Sequence, residues 1–236
     1  MTAPATRPPR FLRAALLLAA KDLRIEGKTR ETLSATVLFS LIVLVVFSFA
    51  FDLGTVRRLG AETIVPGVLW TTIAFAGVVS FARSFEVEKR REALTALRLA
   101  PVDPGALFTG KALANLALLL ALETVLLPLS AVLFDWDLLS NAAPTAFVVF
   151  VHTAAIAQLG TLFGAVSSRL GRGEALLATL LFPAATPVFI SAVECTGSAV
   201  AGTGLGPVRH WLLVTAGLTV LYFLVALLTF EFILED

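Results

Sequence analysis

A single cysteine, Cys195, stands in the 236 residues, so no intrachain disulfide can form. With no CxxC pair and no Cys/His spacing, the chain also carries no structural-metal signature. Charge is scarce. Only 15% of the residues are Asp, Glu, Lys or Arg, and they nearly cancel to a formal +1, which removes the basic surface that a nucleic-acid binder needs. A nucleotide site is missing too. The glycine cluster GTGLGP, Gly202 to Pro207, lacks the Lys-Ser/Thr pair with which a P-loop holds phosphate and magnesium, and it reads as a flexible loop. No catalytic residue and no metal ligand is assigned, and the chain is not expected to be an enzyme.

What the sequence has in excess is apolar surface. A hydrophobic fraction of 58% and a mean hydropathy of +0.91 exceed what one soluble core of this length requires. The expected class is an all-α integral membrane protein with six transmembrane helices. At 1.5 Å per residue the apolar stretches Leu33 to Phe51, Ile64 to Ala82, Leu107 to Phe134, Ala143 to Val166, Ala175 to Val193 and Trp211 to Phe232 are each long enough to cross a bilayer. A polar loop, Asp52 to Glu62, joins the first two. The third exceeds the bilayer core and is expected to tilt or to bend near Pro128. Pro183 and Pro187 predict a kinked or partly unwound second half of the fifth.

Residues 1–32 form an expected tail and interfacial helix, 33–232 the six-span domain and 233–236 a short second tail. Near the amino terminus Leu12, Leu16, Ala19 and Leu23 recur at helical spacing, while Arg10, Arg13, Arg24 and Lys28 keep largely to another face. That pattern fits an amphipathic helix lying in the membrane interface, its cations towards anionic headgroups. Arg7, Arg10 and Arg13 before Ala14 to Ala20 also suggest a signal peptide, but the apolar run is short and the residues after it do not look like a soluble start.

The densest charge lies between spans two and three, in FARSFEVEKRREALTALRLAPVDP, Phe81 to Pro104. Lipid rejects this island, since each charge at the bilayer centre costs about 2.5 to 3.5 kcal/mol. Glu86 and Arg90, and Glu88 and Arg91, are spaced to pair along a helix, Leu94 and Leu97 give it an apolar edge, and Pro101 and Pro104 end it. The segment reads as a coupling helix, or more simply as a solvated loop. Fifteen of the eighteen Lys and Arg residues fall on segments that share the island's side, which by the positive-inside rule places the island and both termini in the cytoplasm.

Two ionisable residues, Glu123 and His152, fall deep inside spans, away from their ends. Glu123 precedes the turn at Asp135 by about a dozen positions and His152 follows its end by about nine, so a hairpin would set them at comparable depth, where they could pair. A haem-contacting or proton-coupled role for His152 is one reading and a packing pair is the other. Lys111, near a span boundary, is expected to snorkel.

Read in order, VPGVLW at Val65 to Trp70, the stretch from Phe81 to Glu86, LRLAP at Leu97 to Pro101 and GKAL at Gly110 to Leu113 resemble the CcmB family, the permease subunits of the cytochrome c maturation ABC transporter. The similarity covers most of the chain. This sequence carries Glu86 where the family pattern has aspartate. The resemblance implies an ABC-2-type permease in the bacterial cytoplasmic membrane, with two copies per transporter. It further implies a CcmA-type ATPase, CcmC-type and CcmD-type membrane subunits and the haem chaperone CcmE as partners, with no cofactor assigned to the chain itself and haem met through the complex. The ATPase would dock on Phe81, Phe85, Glu86, Lys89, Arg90, Arg91, Leu94 and Leu97. Rival readings are an ABC-2 exporter of lipid, polysaccharide or drug, an intramembrane acid–base enzyme built on Glu123 and His152, and an assembly factor that works without ATP.

Overall fold

The computed structural model describes the backbone of residues 11–90, 103–170 and 173–235, and the side chains of these except at 86–90, 173 and 234–235. Within them the chain is all helical. In order the elements are α1 (Phe11–Thr29), α2 (Glu31–Ala50), α3 (Leu53–Leu59), α4 (Ala61–Arg90), α5 (Pro104–Phe134), α6 (Ala142–Arg169), α7 (Gly173–Val200) and α8 (Arg209–Glu235). Six of these, α2 and α4 to α8, are long and apolar enough to span a membrane.

The spans differ in how much of them the protein itself covers. In α4, 78% of the span is buried, against 17% in α2 and 11% in α8, so α4 is a central helix and α2 and α8 are peripheral. α4 packs on α2, α5, α6 and α7, while α6 packs on α4, α5, α7 and α8. The buried residues of α6 include Ala155, Ala157, Gly160, Gly164 and Ala165, small side chains that let neighbouring backbones approach closely where lipid supplies no hydrophobic drive. The outward sides of α2 and α8 carry exposed Leu38, Ile42, Phe49, Leu213, Leu224 and Leu228, as expected of surfaces with lipid as solvent.

Corners are made by local hydrogen bonding. Between α1 and α2 only Arg30 intervenes, in the left-handed region with φ of 53°, and the Glu26 carboxylate accepts from the Leu33 N–H at 2.7 Å, satisfying a free donor in the first turn of α2. The expected polar loop after α2 is instead the short helix α3, because Asp52 caps it by accepting from the Thr55 N–H at 2.6 Å. Arg57 of α3 then reaches Asp135 at the far end of α5, 3.2 Å away. The stretch Gly202 to Pro207 is not a free loop. The Ser198 hydroxyl donates to the Gly204 carbonyl at 2.5 Å and lies 2.8 Å from the Thr203 hydroxyl.

Of the two readings of the fifth span, kinked or partly unwound, unwinding does not occur. α7 continues through Pro183 and Pro187 without unwinding, and α5 continues through Pro128. Tyr222 of α8 donates to the Ala184 carbonyl between the two α7 prolines at 3.0 Å, one of the neighbouring groups that sustain such a helix inside a bundle.

Candidate functional site: the root of the charged segment

α4 does not end where its apolar stretch ends at Ala82 but runs on to Arg90, so the first ten residues of the charged island extend a membrane span. Residues 91–102, with Arg91, Leu94 and Leu97, lie outside the described residues, as do the side chains of Glu86, Lys89 and Arg90. The other two predicted docking residues are not on the surface. Phe81 and Phe85 are 0% and 4% exposed, so they anchor the island rather than present a contact to a partner.

The anchor is a pair of rings in a pair of glycine notches. Phe81 lies where a Cβ on Gly160 of α6 would overlap its ring, and the Phe85 ring lies 3.1 Å from the place a Cβ on Gly164 would take. Gly160-Thr-Leu-Phe-Gly164 is a GxxxG sequence, whose four-residue spacing puts both glycines on one helix face. That signal was available in the sequence and marks the seat of α4 on α6. Phe85 also joins Leu107 and Phe108 of α5, Leu162 and Ala165 of α6, and Ala226 and Phe230 of α8 in one apolar cluster.

Lys111 is the third part of the root. It does not snorkel to water but is 1% exposed. Its ammonium lies 3.4 Å from Asp22 Oδ2 of α1, 3.3 Å from the Ser84 carbonyl of α4, and 4.7 Å from the centre of the Phe85 ring. A carboxylate, a carbonyl and a ring face are each attractive to a cation, and together they replace the water that burial removes. One side chain of α5 thus ties α1, α5 and the end of α4. Gly110 allows this by letting the Ala15 carbonyl of α1 come within 2.7 Å of where a Cβ would be. Sequence alone did not pair Lys111 with Asp22, which is 89 residues away.

α1 shows a different division of faces from the one its pattern suggested. Ala14, Ala15 and Ala19 are buried, while Leu12 and Leu16 are exposed at 70% and 60%. Ala19 therefore belongs to a small-residue face seated on α5, and the leucines belong to an outward apolar face.

At the other end, the VPGVLW stretch seats α4 on α7. Val65, Val68, Leu69 and Trp70 are buried, and the Trp70 indole donates to the Thr196 hydroxyl at 2.9 Å. Gly197 lets the α4 backbone approach, a Cβ there falling 3.0 Å from the Glu62 carbonyl.

Glu123 and His152 do not pair. Thr153 donates to Glu123 Oε1 at 2.7 Å, while His152 Nδ1 lies 2.7 Å from the Val148 carbonyl and Nε2 lies 2.9 Å from Ser191 Oγ. The reason is helical geometry. Successive residues point about 100° apart, so Thr153 faces α5 and its neighbour His152 faces α7. Thr215 of α8 donates to the same Ser191 hydroxyl at 2.7 Å, and Trp70 packs edge-on to the imidazole at 5.7 Å. Both ring nitrogens are engaged by the protein, and Glu123 and His152 do not form the acid–base pair that their matched depth suggested. Among the described residues no cluster of three metal-ligating side chains occurs. Cys195 is buried in α7 beside Val148 and Val208.

Comparison with known proteins extends these observations over nearly the whole chain. Residues 13–234 match the family described as CcmB protein. Heme exporter protein B of Rhodobacter capsulatus is 31% identical over 184 residues, covering 75% of this chain and 79% of that protein. The protein of the same name from Bradyrhizobium diazoefficiens is 29% identical over 188 residues, covering 78% of this chain and 82% of that protein. The one from Paracoccus denitrificans is 29% identical over 194 residues, covering 78% and 83%.

Proposed function

The chain belongs to the CcmB family, and on that premise we propose that it is the membrane permease subunit of an ABC transporter that handles haem for cytochrome c maturation. It is a multi-pass protein of the inner membrane and a transporter component. ATP is hydrolysed in a separate, CcmA-type subunit, and the work released frees the haem-loaded chaperone or moves haem outward. CcmC-type and CcmD-type subunits complete the assembly, and haem is met through them rather than on His152. The excess of Lys and Arg at the island's end of the bundle supports a cytoplasmic island and cytoplasmic termini.

The observation that carries this reading is the continuity of α4. Thirty residues run as one helix, about 45 Å long, from the VPGVLW seat on α7 to the charged island. A push on the island at Lys89 and Arg90 reaches the Phe81 and Phe85 notches on α6 and the Lys111 tie to α5 and α1 along one helix, so closure of an ATPase pair tilts the central helix as a lever. The long buried lever with a charged end supports this reading over an assembly factor that works without ATP.

Co-purification with a candidate CcmA-type ATPase, followed by an ATPase assay of the pair, tests it. The expected result is a complex whose ATPase activity responds to the permease and falls when Arg90 and Arg91 are changed to Glu. Charge reversal at those two positions with binding and activity both intact would sink the lever reading.

A further inference from the structure

The surface of α1 divides into three sectors at 100° per residue. Ala15, Ala19 and Asp22 form the sector seated on α5, and Leu12 and Leu16 form an exposed apolar sector. Lys21, Arg24 and Lys28 share a third, within about 60° of one another. That third sector opens on a cavity of about 250 Å3 lined by Leu17, Ala20, Lys21, Arg24, Ile25 and Lys28. It is an open depression along α1, cationic at Lys21, Arg24 and Lys28 and apolar at Leu17, Ala20 and Ile25, with Leu17 exposed. It also lies at the membrane boundary, since α2 starts at Glu31, directly after α1.

We propose that this depression is a binding site for an anionic phospholipid, with the headgroup phosphate on Lys21, Arg24 and Lys28 and the start of an acyl chain against Leu17, Ala20 and Ile25. A free anion has no use for the apolar walls, and a zwitterionic lipid brings its own cation to a cationic rim; a net-negative lipid matches both halves. The site is wired to the root of the charged segment. Lys21 Nζ lies 3.1 Å from Asp22 Oδ1, and the other oxygen of the same carboxylate lies 3.4 Å from Lys111 Nζ. A phosphate that draws on Lys21 leaves more of Asp22 to Lys111 and so strengthens the tie between α1 and α5.

The full-length chain, purified in mild detergent, is incubated with phosphatidylglycerol, phosphatidylcholine or inorganic phosphate, and retained lipid is measured by native mass spectrometry. Phosphatidylglycerol is expected to be retained in preference to phosphatidylcholine. The double variant Arg24→Gln/Lys28→Gln weakens that retention about 25-fold, two interfacial cations having been removed. The control Arg58→Gln/Arg209→Gln, with the same charge lost away from α1, keeps it. Arg24, Lys28, Arg58 and Arg209 are all exposed, so the melting temperature without lipid stays at the wild-type value in both variants. Equal retention of the two lipids, an unaffected Arg24/Lys28 variant, or equal loss in the control overturns the site. Millimolar phosphate that displaces the phosphatidylglycerol makes it a soluble-anion site and overturns the lipid.

Discussion

Adding one methyl group at Gly160 puts the seat of α4 on α6 to a direct test. The Phe81 ring is fully buried and already occupies the space that an alanine Cβ at Gly160 would need. On the side of its own helix the ring stands over Gly77, where an added Cβ would lie 3.1 Å from it, so the room there exists only because residue 77 is glycine. Gly160→Ala must therefore force Phe81 off its rotamer or move α6 away from α4. Overpacking of this kind costs about 1 to 3 kcal/mol. A loss of about 2 kcal/mol changes the ratio of folded to unfolded protein roughly 30-fold. Phe81→Leu alone is also destabilising, through lost packing, but in the double variant the smaller side chain makes room for the methyl. The two changes should then be less than additive by about 1 to 2 kcal/mol, inside the usual span for residues in contact. The measurement is the folded fraction of wild type, both single variants and the double variant in detergent against added SDS. If Gly160→Ala sits within about 0.5 kcal/mol of wild type, or the two effects simply add, the glycine notch is not the seat described above.

Lys111→Met leaves Asp22 facing a buried apolar side chain and is expected to lower stability by about 2 to 4 kcal/mol, with Lys111→Met/Asp22→Asn recovering part of the loss in the same SDS titration; a double variant no better than the single breaks the pairing. His152→Leu removes the link from α6 to Ser191 and should cost about 1 to 3 kcal/mol in the melt, whereas an iron-ligating His152 predicts instead an unaltered melt and a lost haem absorbance in the co-purified complex. Asp52 holds its carboxyl below the ordinary carboxylate range, chiefly because the Thr55 N–H donates to it, so its cap is complete above about pH 4 and is lost as pH falls through the lowered value. Thermal melts of wild type and Asp52→Asn should accordingly differ by a constant amount around neutrality and converge only in strong acid; a gap that instead closes above pH 5 contradicts the cap.

The six spans were legible because hydropathy is a property of a stretch, and a run such as Leu33 to Phe51 is apolar whatever its neighbours. The helix beyond Ala82 was half legible: the Glu86 and Arg90 spacing favours helix, but apolarity was the measure used for the span, and it stops where charge begins. α3 was missed because a seven-residue helix has too few turns for periodicity, although Asp52 followed by Thr55 carried its cap. Reading Phe81 and Phe85 as a docking face followed from their place inside a charged stretch, yet a ring in such a stretch still seeks burial and found the GxxxG face of α6. Glu123 and His152 matched in depth, and depth says nothing of rotation about a helix axis.

From the order of its residues alone, this chain is a helical membrane protein of six spans with one strongly charged interruption, its family likeness carried by short motifs in sequence along the chain. These are additive, local quantities, summed along a segment and independent of what lies beside it. Only the tertiary structure decided that Lys111 meets Asp22 across 89 residues, that Trp70 meets Thr196 across 126, and that two phenylalanines at the edge of the island turn inward. Those contacts depend on how each helix is rotated and how far it slides against the next. A rotation of 100°, one residue's worth, exchanges a lipid-facing side chain for a buried one.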